Sequence, residues 1–258
     1  MNESALPNSP FSLDVVRDFF DSHWTVRRYK KVAMPPEHLD LILHAAQRAP
    51  TDATAQMYSF IRLTDPDLRE KVAALSGNPH IAEASESFLI CGDVHRLAES
   101  LHLGGFEIGE IPHIAVHFAI GDAVLAGQSM LIAAEMIGYR GCWIGGVLNA
   151  LAEISALTKL PRGVFPFAGL TIGVADEPAQ NRPRLPRKQV VFDNHYQTPS
   201  AADLQQGIAD MASITGRGNW IATLARYFAK DGTMELRDRS LGEYLRSQLD
   251  LSPRRNQR

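Results

Sequence analysis

The sequence predicts an α+β fold, in which a few buried strands are layered with helices and followed by a helical tail. Three observations carry that reading. YSFIRL at 58–63, SFLICG at 87–92 and FAGLTIG at 167–173 are short apolar runs, rich in branched or aromatic residues and bounded by turn formers, as buried strands are. Helix candidates fall between them irregularly, which fits a layered α+β or mixed α/β fold with few strands better than a regular doubly wound sheet. After about residue 195 the strand pattern stops and the chain turns polar and helical, with breaks at GRGN (216–219) and KDG (230–232). Residues 1–194 are therefore the expected core, and residues 195–258 a helical extension wrapped on it or on a partner subunit. With 258 residues and 45% apolar content, the chain has ample material for a sizeable core.

The helices follow in order. After PPEH, Leu39, Ile42, Leu43 and Ala46 keep the i, i+3, i+4, i+7 rhythm, so 36–48 is an amphipathic helix opened by proline and ended before Pro50. PDLREKVAALS (66–76) and NALAEISALTKL (149–160) are further helix candidates. The most hydrophobic stretch, 114–138, is interrupted by His117, Asp122, Gln128 and Glu135. It holds no unbroken run of the roughly 18 to 20 apolar residues that a bilayer crossing needs. From Ala123 to Ile137 it is apolar around most of the helical circumference, with Asp122 as the expected N-cap and Gly138 as the stop. Such a helix is either central to the core or shared with a second copy of the chain.

A formal net charge of −3 and a pI near 6.3 argue against a general electrostatic grip on nucleic acid. Two basic knots nonetheless stand out, HWTVRRYKK at His23–Lys31 and RPRLPRK at Arg182–Lys188. Arginine offers a planar fork suited to phosphate, and flanking prolines hold the backbone extended, so RPRLP reads as an anion clamp or as a solvated basic loop. In the first knot Thr25 and Arg27 alternate with Trp24 and Val26, which directs a hydroxyl and a guanidinium one way and the indole the other, with His23 a further donor. In GCWIGG the glycines at 141, 145 and 146 either admit a flat ligand to the backbone or form a tight turn leaving a strand. APTDATAQ (49–56) offers small residues and Gln56 to a heterocycle, or is a connector.

No P-loop, Rossmann spacing or G-x-S-x-G element is present. His113 and His117 share one helical face, but no HExxH pattern and no third ligand accompany them, and no metal is expected. Cys91 and Cys142 sit in apolar runs and read as buried thiols. The start MNESALPNSPFSLD lacks the basic and apolar segments of a secretion signal, so a cytoplasmic location is expected.

In order, HWTVRRY, RAPTDATAQMYSFIRLTD, GDAVLAGQSMLIAAEMIGYRGCWIGGVLN and LPRGVFPFAGLTIGVADEPAQNRPRLPRK resemble the FMN-dependent nitroreductase family over about residues 15–198. Within it the likeness is to the NADPH-dependent major nitroreductase and flavin reductase branch. The resemblance implies a homodimeric α+β sandwich around a mixed central sheet, with FMN tightly bound at the dimer interface. By the same resemblance His23, Thr25 and Arg27 contact the flavin, Arg27 near the ring and the other two nearer the phosphate. Arg184 matches the phosphate-binding arginine, and Arg182 stands where a lysine is usual, beside the N1 and O2 edge of the ring. Thr51, Asp52, Ala53 and Gln56 fall in the loop that embraces the flavin, while Ile144, Gly145 and Gly146 line the other side of the ring. Arg217 is the candidate contact for a nicotinamide phosphate. Two features depart from the branch: Trp24 replaces an arginine, and PTDATA a serine-rich run.

The implied chemistry is a ping-pong transfer in which NADPH or NADH gives hydride to the flavin, and a nitroaromatic or quinone then takes the electrons. Fixed cations at Arg27 and Arg182 would balance the charge that builds on the reduced ring, with no protein nucleophile needed. Reduction of free flavin on the same fold is one alternative. A non-enzymatic polyanion-binding module, with affinity falling steeply with salt, is the other. No nucleic acid or membrane partner is expected.

Overall fold

A computed structural model describes residues 9–212 and 219–249. Four strands, β1 (Tyr58–Arg62), β2 (Glu86–Asp93), β3 (Arg140–Ile144) and β4 (Val164–Gly173), form one sheet in the order β1-β2-β4-β3. β2 and β4 take the two central places and are buried along nearly their whole length, which is why both read as continuous apolar runs. Along β2, Phe88 and Ile90 face one hydrophobic cluster and Leu89 and Cys91 the other, so the sheet is covered on both sides.

Every pairing among these strands is antiparallel, which corrects the expected mixed sheet. The physical reason lies in the strand order. The connection from β2 to β3 brings the chain back in the same direction, as a parallel crossover does, but β4 inserts between the two and pairs antiparallel with both.

The helices are α1 (Leu13–Asp21), α2 (Pro36–Gln47), α3 (Pro66–Ser76), α4 (His80–Glu83), α5 (His95–Leu103), α6 (Pro112–Met136), α7 (Leu151–Leu157), α8 (Ala201–Asp210), α9 (Trp220–Phe228) and α10 (Thr233–Leu249). α2, α3 and α7 lie inside their expected windows. α3 is set by three local signals: the Asp65 side chain accepts the Leu68 N–H, Pro66 starts the first turn, and Gly77 ends the helix at φ 68°.

α6 differs from expectation. It starts at Pro112, so Asp122 is not its N-cap but a buried residue at mid-helix, 2% exposed. A helix that is apolar around most of its circumference has no periodic mark for its first turn, so a polar residue within it resembles a cap. Gly138, at φ 93°, ends the helix as expected. By length and composition alone α6 could cross a membrane. Here Ala123, Ala126, Met130 and Ala134 pack it on α2 and the sheet, alongside Ile42, Ala46, Phe88 and Leu170.

α10 closes the opposite cluster, to which Leu241, Tyr244, Leu245 and Leu249 contribute. The Tyr244 hydroxyl lies 2.6 Å from Ser155 Oγ, and the Gly163 N–H donates to Gln248 O at 3.0 Å. Cys91 and Cys142 are both free and buried, and burial pushes both thiols up. Neither is expected to react with Ellman's reagent at mildly alkaline pH until denaturant unfolds the chain. A fast thiol burst from native protein would contradict this.

Candidate functional site

The first basic knot runs as an unfinished strand along the β3–β4 edge. Val26 N–H donates to Gly141 O at 3.2 Å, Lys30 N–H to Val174 O at 2.9 Å and Asp176 N–H to Arg28 O at 2.9 Å, with an antiparallel bridge between Tyr29 and Ala175. The expected alternation holds, since Trp24 and Val26 are buried, Thr25 is half-buried and Arg27 is exposed. The register places this segment against the residues that leave β4 for the second knot. Glu177 fixes the junction by accepting the backbone N–H groups of Arg27 (2.5 Å) and Arg28 (3.1 Å), with the Arg28 guanidinium 3.6 Å from its second oxygen. Asn181 adds a bond from Nδ2 to Asp21 O at 3.0 Å.

Burial holds the Cys142 thiol high; the Arg27 and Arg182 charges oppose that rise and the Glu177 charge adds to it. Arg184 is exposed and folds onto its own loop, with Nη1 donating to Arg182 O (3.0 Å) and Pro183 O (3.1 Å). α8 braces the knot through Lys188 Nζ to Asp203 Oδ1 at 2.5 Å and Gln189 Nε2 to Asp203 O at 2.6 Å.

β3 delivers Ile144 and the two glycines. Gly145 is exposed, and a Cβ there would meet nothing within 4 Å. Gly146 has a different task, because a Cβ there would strike Ser76 O and the Asn78 side chain, so its bareness admits the end of α3. That contact brings in two residues the sequence reading missed. Asn78 abuts Gly146 and donates to Ser76 O at 2.6 Å. His80 is 4% exposed, its Nε2 has no partner among the described residues, and burial followed by the Arg27 charge lowers its pKa. The signal that points to them is a polar GNPH turn directly after the Gly77 helix stop.

His23 Nδ1 lies 2.8 Å from Glu135 Oε1, and the Glu135 side chain is almost fully buried. Nε2 is thus the ring nitrogen left for a ligand. The Thr51–Gln56 loop sits elsewhere, leading into β1 at the other sheet edge, where Asp122 Oδ1 accepts the Asp52 N–H (2.9 Å) and Oδ2 the Met57 N–H (2.8 Å). Asp122 and Glu135 are thirteen residues apart on α6, about 20 Å at the helical rise. Within one chain, therefore, His23, Thr25 and Arg27 lie on the β3 side of the sheet with Ile144 and Gly145, and Arg182 is in the loop that follows β4, whereas Thr51, Asp52, Ala53 and Gln56 lie at the β1 side. Arg217 falls outside the described residues.

Arg27, Arg182, Arg184 and His23 are donors of the kind that suit a phosphate and an electron-rich ring edge, and the open Gly145 backbone leaves room for a flat ring. These residues fit FMN. Two grooves lie away from these residues, one of about 880 Å³ between α3, α4 and residues 31–33, and one of about 550 Å³ between the start of α6 and α10. Neither is lined by a residue expected to contact the flavin. Among the described residues no group of three or more His, Cys, Asp or Glu is placed to hold a metal.

Residues 21–174 match the nitroreductase family profile. The chain is 34% identical over 233 residues to a Cr(VI) reductase of Pseudomonas sp. (strain G-1), covering 87% of this chain and 96% of that one. It is 32% identical over 187 residues to the oxygen-insensitive NADPH nitroreductase of Salmonella typhimurium, covering 68% of this chain and 72% of the relative. The NfrA1 nitroreductase structure from B. subtilis superposes with a TM-score of 0.81 at 25% identity, covering 90% of this chain and 98% of that one. Fold, basic edge and sequence agree that the chain belongs to the nitroreductase family, as an NAD(P)H-dependent oxidoreductase of the nitroreductase and flavin reductase type.

Proposed function

We propose that two copies of the chain hold FMN between them and use it to pass electrons from NADPH or NADH to small acceptors of the nitroaromatic or quinone class. The observation that carries this is the seating of the first basic knot against the chain that leaves β4 for the second, with Tyr29 bridged to Ala175 and the Arg27 and Arg28 N–H groups held by Glu177. The two-copy arrangement draws support from the split of the site, because a single coenzyme can meet both the basic edge and the Thr51–Gln56 loop if one group comes from a second chain. Ile114, Leu125 and Met136 on α6, and Leu13, Val15, Val16 and Phe20 on α1, leave apolar surface exposed for such a pairing.

When bound, FMN supplies a two-electron relay between the nicotinamide and the acceptor. The chain supplies the surroundings. Arg184 and His23 grip the phosphate, while Arg27 and Arg182 balance negative charge at the ring edge without reorganising as it appears. Glu177 fixes the backbone from which Arg27 projects. The relatives' names span Cr(VI) reduction and nitro reduction, in keeping with a site that positions a coenzyme and leaves acceptor choice loose.

Purified protein is expected to be yellow and to lose its visible absorbance on anaerobic addition of NADPH, with Arg184→Ala retaining less FMN through gel filtration. Colourless protein that cannot be reconstituted with FMN would refute the proposal.

A further inference from the structure

Residues 53–56 combine two features that belong together. Ala53, Thr54 and Gln56 adopt φ of 45°, 58° and 51°, the left-handed region that non-glycine residues rarely enter and that costs free energy at each position. All three are exposed, and their side-chain bonds are local, from Thr54 Oγ1 to Ala53 O at 2.6 Å and from Gln56 Nε2 to Thr54 O at 3.5 Å. The unfavourable conformation therefore does little for the chain's own packing. It is held from outside at both ends. Asp122 reaches up from the buried face of α6 and gives one carboxylate oxygen to the Asp52 N–H and the other to the Met57 N–H. Arg96 secures the far side by donating to Gln56 O and to Tyr58 O. A carboxylate at 2% exposure on a mostly apolar helix is unfavourable unless strongly hydrogen-bonded, and its two backbone partners are the start and end of this loop.

We propose that Asp122 is a positioning residue, which keeps the Thr51–Gln56 loop in its ligand-binding shape before the coenzyme arrives. The inference rests on the FMN reading above. Asp122 touches no reacting atom; it acts through the backbone of residues 52–57, and its effect falls on coenzyme affinity through preorganisation.

Hydrogen exchange of the apo protein and fluorescence titration with FMN test it. In apo Asp122→Asn, which loses one acceptor and faces one N–H with a donor, amides of residues 52–57 are expected to exchange faster while those of β2 and β4 stay protected. FMN affinity is expected to fall about tenfold or more. Ala53→Val, an exposed change that disfavours left-handed φ without touching α6, is expected to weaken FMN in the same way. Adding Ala53→Gly to Asp122→Asn is expected to restore part of the loss, since glycine enters that region freely. Should Asp122→Asn fail to fold, the contrast between Ala53→Val and Ala53→Gly in the parent chain carries the test.

Undiminished FMN affinity in both Asp122→Asn and Ala53→Val would overturn the proposal and leave the FMN reading intact. So would a loss in Asp122→Asn that Ala53→Val does not share and Ala53→Gly does not mend, which would reduce Asp122 to a packing role. A parent protein unable to bind FMN would remove the FMN reading and this inference together.

Discussion

Arg182→Ala is expected to slow reduction of bound flavin by NADPH about 100-fold while leaving flavin content near that of the parent protein. The guanidinium is exposed and has no ion-pair partner among the described residues, so its charge is available to a ligand. Arg27 is differently placed, because the Glu177 carboxylate accepts its backbone N–H and sets an opposite charge at the base of the residue. Negative charge developing at the ring edge would therefore depend strongly on Arg182. Removing one fixed donor to a developing charge typically raises a barrier by about 3 kcal/mol. Binding should suffer less, since the phosphate grip belongs to Arg184 and His23. Arg182→Lys keeps the charge and should recover much of the rate. Anaerobic stopped-flow absorbance separates the two effects: an unchanged rate constant in Arg182→Ala at full flavin content would remove the electrostatic role.

What could be seen in the sequence depended on how locally each feature is encoded. α3 was legible almost to the residue because Asp65, Pro66 and Gly77 announce both of its ends. β2 and β4 were legible because central strands are apolar throughout. β3 was half-hidden, since its glycine and its exit turn resemble a loop, and what makes RGCWI a strand is the neighbouring β4. The alternation of Trp24, Thr25, Val26 and Arg27 could be read directly. The pairing of Val26 with Gly141, and of Tyr29 and Lys30 with Ala175 and Val174, is a contact across the chain that no local pattern records. The same holds for the left-handed loop, because Ala53, Thr54 and Gln56 carry no glycine signal and their conformation is imposed by a carboxylate on a helix some seventy residues later. Asp122 was noticed as a helix cap, the right kind of role for a carboxylate meeting backbone N–H groups, assigned to the wrong segment.

Gly141→Ala is expected to destabilise the fold by about 3 kcal/mol, lowering Tm by roughly 6 to 12 °C for a chain of this size. An added Cβ would lie 2.6 Å from Thr171 O and 2.6 Å from Leu131 Cδ1. Thr171 belongs to the central strand β4 and pairs with Cys142, so its carbonyl cannot retreat without opening the β3–β4 ladder. Leu131 is 2% exposed and anchors α6 against the sheet, so it cannot swing into solvent. The damage should reach the basic edge as well, because the Gly141 carbonyl accepts the Val26 N–H and so seats the segment that carries Arg27. Gly145→Ala is the matched control four residues on, with nothing within 4 Å of the new methyl group. It is expected to leave the apo melting temperature nearly unchanged and, by intruding where a flat ring would lie, to weaken FMN. Calorimetry on the apo proteins with flavin titration of each would reveal the contrast. Equal stability of Gly141→Ala and the parent would mean that the sheet yields there, and that close packing at Gly141 does not hold Arg27 in place.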